Sequence, residues 1–184
     1  MDSNIIPDSI PNWINGREVP ADSQDYFGKL SPDSGREIFK VARSGAGDIQ
    51  AAVSAAINAQ PAWAAQTPVQ RGDQLFEIVR IMRKYQKEIA ATVALETGMA
   101  YSAALGETGG AIAQGEFAAG EGRRFYGRTT TSAVTNKYAL TVRQPLGVAG
   151  LIIAANTPIA NVAWKVFPAL LCGNAAVLKA AEGV

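Results

Sequence analysis

The chain has 184 residues, 48% hydrophobic and 18% charged, with a formal net charge of +1. That is enough apolar material for one good core or one domain with an appendage, and the charge is too balanced for a nucleic-acid or anionic-membrane binder. It has no histidine, which excludes Ser-His-Asp and Cys-His catalysis within the chain, and its single cysteine excludes an internal disulfide and fits a reducing, cytoplasmic compartment.

The first residues, Met1–Ile10, carry neither a basic region nor an apolar core, so no secretory signal is expected. No apolar run is long enough to span a bilayer. Trp13-Ile14-Asn15-Gly16 predicts a short strand ending in a hairpin turn. Ser31-Pro32-Asp33-Ser34-Gly35 is a turn cluster, followed by a strand over Glu37–Ala42. Up to Ser44 the chain reads as an edge ribbon without chemistry. Asp48 is the expected cap of a helix reaching about Ala59, with Ile49, Ala52, Val53, Ala56 and Ile57 on its inner face. Thr67-Pro68-Val69-Gln70 is a capping box with proline at the first helical position. It opens a helix that turns Leu75, Ile78, Val79 and Met82 inward. A third helix spans about Gln86–Thr97 and ends at Gly98. The cations of Arg80–Lys87 are flanked by Glu77 and Glu88 and read as a solvated face.

Tyr101–Tyr126 is dense in glycine, which lowers its helix propensity. A structureless stretch of that length is unusual in a compact domain, so the segment is expected to be helical, with neighbours packed closely at the glycines. Glu107, Glu116 and Glu121 show no spacing that singles out a catalytic pair and are assigned to solvated faces. Thr129–Gln144 alternates Tyr138, Leu140 and Val142 with Ala139, Thr141 and Arg143. This is strand patterning with one apolar face, suited to an edge strand or to contact with a partner subunit.

The stretch Gly147–Lys179 organises the chain as strand, turn, helix, turn and strand. Val148–Ile153 is a short apolar run suited to a buried parallel strand. Thr157-Pro158 supplies a hydroxyl cap and a first-turn proline, Pro168 should kink the helix, and Gly173-Asn174 ends it. Ala175–Leu178 is the second buried strand, reached by the right-handed crossover that is the rule for such units. Ala154–Thr157 then lies at the carboxyl end of a strand, where open α/β sheets bind ligands. No complete G-x-G-x-x-G or P-loop is present: Gly45-Ala46-Gly47 and Gly120-Glu121-Gly122 both lack the third glycine. The chain reaches Gly183-Val184 soon after two consecutive parallel strands. The sheet is unfinished, and the segment is expected to be the N-terminal part of a larger protein.

Several short motifs recur in a telling order. Upstream are Trp13-Ile14-Asn15-Gly16, Ser31-Pro32 with Ser34-Gly35, Arg71-Gly72 and Glu96-Thr97-Gly98. Then come Arg143-Gln144-Pro145-Leu146-Gly147-Val148, Asn156 with Pro158, and Ala163-Trp164-Lys165. Pro168-Ala169-Leu170, Gly173-Asn174, Val177-Leu178-Lys179 and Glu182 complete the series. This series resembles the aldehyde dehydrogenase superfamily, from about Trp13 to Glu182, and accounts for less than half of a full-length member. The resemblance implies an α/β fold: the N-terminal portion of a Rossmann-like cofactor-binding domain, helices plus an unfinished parallel sheet, over 1–128 and 146–184. Residues 129–145 match an oligomerisation ribbon, which implies a homodimer or homotetramer, and the catalytic domain lies outside the chain.

The activity implied is oxidation of an aldehyde to a carboxylic acid with NAD, or NADP, through a cysteine thiohemiacetal and thioester. The family's nucleophilic cysteine and general-base glutamate fall beyond residue 184. By the same resemblance Asn156 donates its amide to the oxyanion, and Lys165 lies close to the reacting centre. Ile152, Ile153, Ala154, Ala155 and Asn156 line the cofactor, and Lys179, Ala181 and Glu182 sit at its adenine ribose. Trp164 and Asn161 line the substrate path. No metal is implied. The chain departs from the family at Ala154, Ala155 and Thr157, where bulkier residues are common around the asparagine. The alternatives are a catalytically inactive truncated module with a partial nucleotide-binding or oligomerisation role, and an unrelated α/β binding domain.

Overall fold

The computed structural model describes residues 6–182, so the part of the N-terminal expectation that falls on positions 1–5, and the chain end at 183–184, lie outside the described residues. The chain opens with short strands: β1 (Ser9–Ile10), β2 (Asn12–Ile14), β3 (Arg17–Val19), β4 (Tyr26–Leu30) and β5 (Glu37–Ala42). β2 and β3 form the expected hairpin. Its two turn residues, Asn15 at φ 53° and Gly16 at φ 75°, both adopt the left-handed conformation that a two-residue turn of matching twist demands. β5 lies between β1, to which it is parallel, and β4, to which it is antiparallel.

α1 (Ala46–Ala64) starts before the expected cap and runs past Ala59 and through Pro61. Asp48 acts from inside the first turn. Its Oδ2 accepts from the Gly45 N–H at 2.8 Å, and its Oδ1 accepts from the Asp22 N–H at 3.0 Å and from Asn12 Nδ2 at 3.3 Å. The side chain therefore fastens the helix start to the strand ribbon. The expected inner stripe is covered only in part, since Ile49 and Ile57 are 47% and 55% exposed. α2 (Pro68–Lys84) carries the expected reciprocal cap: Gln70 N–H to Thr67 Oγ1 at 3.2 Å and Thr67 N–H to Gln70 Oε1 at 2.8 Å. Its buried seam runs through Arg71, Leu75 and Val79 at four-residue spacing. Ile78 falls beside that seam and faces outward, against expectation. α3 (Gln86–Thr97) ends at Gly98 as expected.

α4 (Tyr101–Gly120) is helical despite its glycines and continues into a short 3-10 turn, Glu121–Arg124. It lies between α2, α3 and α5 (Pro158–Leu171). Leu75, Val79, Ile112, Phe167 and Leu171 fill the seam between α2, α4 and α5. Gly115 sits at the tightest point, where a Cβ would come within 2.7 Å of Val79 Cγ2 and 2.9 Å of Phe167 Cζ. Glycine lowers helix propensity here and permits the close crossing in exchange.

The strand pattern of Thr129–Gln144 resolves into two short antiparallel strands, β6 (Thr129–Thr131) and β7 (Tyr138–Leu140), instead of one strand. The polar stretch between them, with Asn136 at φ 61°, turns the chain back. The base of this hairpin is closed. Thr141 N–H donates to Arg128 O at 2.8 Å, Arg128 N–H to Thr141 Oγ1 at 2.9 Å, and Arg143 Nε to Tyr126 O at 3.1 Å. Its apolar residues Tyr138, Leu140 and Val142 are all exposed.

β8 (Val148–Ile152) and β9 (Ala175–Lys179) pair in parallel, in register from Val148 with Ala175 to Ile152 with Lys179. Contrary to the expected burial on both faces, Ile152 and Leu178 are 68% and 42% exposed. α1 and α5 both pack on the pair, and no further strand flanks it among the described residues. Buried Asn174 joins its start: Oδ1 accepts from the N–H groups of Leu146 (2.7 Å) and Gly147 (3.0 Å), while Nδ2 donates to Ala169 O (3.1 Å). Arg71 performs the same service at the helix ends. It is 4% exposed, and its Nε donates to Leu171 O at 2.8 Å while Nη1 donates to Ala64 O at 3.3 Å and to Gln66 O. A cation is favoured where helices present free carbonyls. Burial lowers the Arg71 pKa, and nearby Cys172 partly restores it. Trp63 Nε1 donates to Leu170 O at 2.8 Å across the same junction.

Candidate active site

The register of β8 and β9 places their carboxyl ends side by side, so the turn Ala154–Thr157 and the segment Lys179–Glu182 leave the sheet together. Ile153 is buried and its N–H donates to Lys179 O at 3.3 Å, locking the two exits to one another. Ile152, Ala154, Ala155 and Asn156 are exposed along this edge, as are Lys179 and Glu182, while Ala181 is half-buried. The structure thus brings together the residues expected at the cofactor. They form an open shelf, since the small side chains Ala154 and Ala155 build no wall. An apolar cavity of about 320 Å³ lies behind it, lined by Val93, Glu96, Ile153, Pro158 and Ile159 among others.

α5 begins at this edge. Pro158 occupies its first position, as expected, but Thr157 does not cap it with its hydroxyl. Thr157 Oγ1 instead accepts from Asn161 Nδ2 at 3.0 Å. The same Nδ2 reaches Thr157 O at 3.0 Å and Asn156 Oδ1 at 3.4 Å. Asn161, expected along the substrate path, is engaged in holding the turn. Asn156 is held through its oxygen, and its own Nδ2 donates to no group among the described residues. An exposed amide donor beside a helix N-terminus is suited to meet negative charge. Lys165 Nζ donates to Ile152 O, linking α5 back to the end of β8. Trp164 is 55% exposed on the helix surface, so it is not part of the core of this chain.

The helix cap comes from a residue that the sequence placed elsewhere. Glu107, assigned to a solvated face of α4, is half-buried, and its Oε1 accepts from the Ala160 N–H in the first turn of α5 at 3.1 Å. Its Oε2 is buried without a partner among the described residues. No local pattern announces this role, because donor and acceptor are far apart in sequence. Glu96, in the Glu96-Thr97-Gly98 motif, is half-buried at the end of α3. Desolvation pushes its carboxyl pKa up and Lys29 pulls it partly back. No helix among the described residues is long and apolar enough to cross a membrane.

Known proteins resemble this chain in sequence and in fold. A model of the aldehyde dehydrogenase family matches residues 19–184. The chain is 39% identical over 171 residues to an alpha-ketoglutaric semialdehyde dehydrogenase of Bacillus subtilis, covering 92% of this chain and 35% of that protein. It is 34% identical over 181 residues to a succinate-semialdehyde dehydrogenase (NADP+) of Escherichia coli, covering 98% and 37%. Among solved structures, an NADP-dependent enzyme of Escherichia coli superposes with a TM-score of 0.93 at 33% identity, over 99% of this chain and 37% of that one. An NAD-dependent aldehyde dehydrogenase of Sinorhizobium meliloti superposes with a TM-score of 0.89 at 28% identity, over 96% and 37%. The chain therefore spans little more than a third of the length of these relatives. Its mixed α/β fold, with a parallel sheet of two strands, matches that part of theirs, and on this combined ground it belongs to the aldehyde dehydrogenase family.

Proposed function

We propose that this chain is the N-terminal part of a dehydrogenase that oxidises an aldehyde to a carboxylic acid with NAD or NADP. The observation that carries the proposal is the convergence at the carboxyl edge of β8 and β9: a free amide donor at Asn156 beside the start of α5, facing the same edge as Lys179 and Glu182. The residues there fit a dinucleotide. Lys179 and Glu182 offer a donor and an acceptor for ribose hydroxyls, and exposed Ile152 with Ala154 and Ala155 offers an apolar shelf that a bulky side chain would obstruct. The cofactor, when bound, supplies the hydride acceptor. What this chain contributes is binding and orientation. The Asn156 amide is preorganised for the oxygen of the aldehyde, where negative charge develops on nucleophilic attack. Lys165 fixes the end of β8 against α5 through the Ile152 carbonyl.

The domain division follows the same reading, with 1–128 and 146–184 forming part of the cofactor-binding domain and 129–145 an oligomerisation segment. The exposed Tyr138, Leu140 and Val142 of the hairpin support that assignment, in a cytoplasmic homodimer or homotetramer. The test is Asn156→Ala in the full-length protein. Turnover, followed by reduced-cofactor absorbance, should fall by about 10²–10³-fold, the usual effect of losing one oxyanion donor, with cofactor affinity unchanged. Near-normal turnover refutes the assignment.

A further inference from the structure

We infer that Glu107 is a positioning residue for Asn156, acting from α4 through the first turn of α5. This rests on the function proposed above. The helix start has few ways to satisfy its donors. Pro158 has no N–H, and the Asn161 N–H already reaches Thr157 O at 2.9 Å. The Thr157 hydroxyl, which would ordinarily accept from the first turn, is engaged by Asn161 Nδ2. The Ala160 N–H is met from another helix, by Glu107 Oε1. The negative carboxylate also lies where the helix dipole favours it.

One bond then ties this turn to Asn156, from Asn161 Nδ2 to Asn156 Oδ1 at 3.4 Å, while the same Nδ2 holds the adjoining Thr157 O at 3.0 Å. Asn156 itself sits in a turn of small, exposed neighbours, Ala154 and Ala155, that do nothing to restrain it. Its placement is inherited from the start of α5, where Ile159 and Ala160 pack inward and Glu107 fixes the direction of the first turn through the Ala160 N–H. Oε2, buried and without a partner among the described residues, fits this account, since reach to Ala160 is achieved although half the carboxylate gains no bond. An oxyanion donor works only at the right distance, so a misplacement of about 1 Å from a change remote from the chemistry can cost about 10²-fold in rate.

Two conservative variants of the full-length protein separate positioning from charge. Glu107→Asp keeps the charge and withdraws the reach; Glu107→Gln keeps the reach and removes the charge. Glu107→Asp should lower kcat about 10- to 100-fold, with cofactor KM little changed. Glu107→Gln should stay within about threefold of the parent, since an amide oxygen still accepts from Ala160. In an Asn156→Ala background the loss from Glu107→Asp should nearly vanish, because the two act through one donor. Multiplying losses in the double variant overturn the inference, as does Glu107→Gln being worse than Glu107→Asp. A Glu107→Asp protein with lowered melting temperature and unchanged kcat shows a structural cap only, and also overturns it. If Asn156→Ala is crippled while Glu107→Asp is normal, the positioning role alone fails. If Asn156→Ala is near normal, the functional reading fails and this inference with it.

Discussion

Replacing Arg71 with methionine should be among the most damaging single changes in this chain. The guanidinium has no carboxylate partner among the described residues and serves three carbonyls, Leu171 O, Ala64 O and Gln66 O. Methionine keeps the apolar stem and abandons all three. Hydrogen bonds to a charged group contribute about 1.5–3 kcal/mol each, so the gross loss is about 5–9 kcal/mol. Two corrections reduce it. Burying the cation already costs something, as its lowered pKa shows, and half-buried Ala64 and Gln66 can recruit water where buried Leu171 cannot. The net expectation is about 3–5 kcal/mol, roughly half the gross loss, because the acceptors left behind are neutral and only the Leu171 carbonyl is fully buried. Arg71→Lys should recover only part of this, because an ammonium cannot reach the three carbonyls with the geometry of the guanidinium fork. Urea unfolding reads the effect, and half-buried Trp63, bonded across the same junction, is the natural fluorescence reporter. With a slope of about 2 kcal/mol per molar urea, the midpoint should fall by about 2 M. A midpoint within about 0.5 M of the parent would show that Arg71 contributes little net stability and refute the reasoning.

The other expectations can be stated briefly. Under the proposed placement of Glu182 at the ribose, the protein should favour NAD over NADP, since a carboxylate repels a 2′-phosphate, and Glu182→Ser should relax that preference. A parent protein with higher kcat/KM for NADP contradicts the assignment. For Glu96 the sign follows from its raised folded-state pKa. Burial raises the Glu96 pKa, so the folded protein holds this proton more tightly than the unfolded chain, and the contribution favours the fold at low pH and is lost as pH rises through the raised folded value. Glu96→Gln should flatten that part of the stability profile and leave the protein more stable at neutral pH; an unchanged slope rules it out.

What was legible in the sequence was local. Asn15-Gly16 specifies its turn through backbone conformation alone. Thr67 and Gln70 cap their helix within one turn, and Gly98 ends α3 by adopting a left-handed conformation. The strand–helix–strand unit was legible too, from its apolar runs and the turn residues between them, although Ile152 and Leu178 in its strands are exposed where burial was expected. The errors arose where a partner lies far along the chain. Asp48 looked like a cap, but it works from inside the helix because Asp22 and Asn12 come to meet it. Thr157 looked like a cap and lost that role to Glu107, whose carboxylate looked solvent-facing. Ile49, Ile57 and Ile78 follow helical spacing and are nonetheless exposed, because periodicity predicts which residues share a face and not which faces are covered. The glycines of α4 were the reverse case: propensity argued against a helix, and close packing at Gly115 explains why the helix stands.

The closed base of the β6–β7 hairpin separates two design problems that most insertions leave entangled. Arg128 and Thr141 clasp each other, and Arg143 clasps Tyr126, before the chain proceeds to β8. The path from the helical layer into the parallel pair is therefore set by four residues at the neck and is indifferent to what the tip contains. Lengthening such a loop is thermodynamically mild, about 0.6 kcal/mol for each doubling. Residues between Thr129 and Leu140 can be recoded, extended or grafted to alter what the tip touches, while α4 and β8 keep their places.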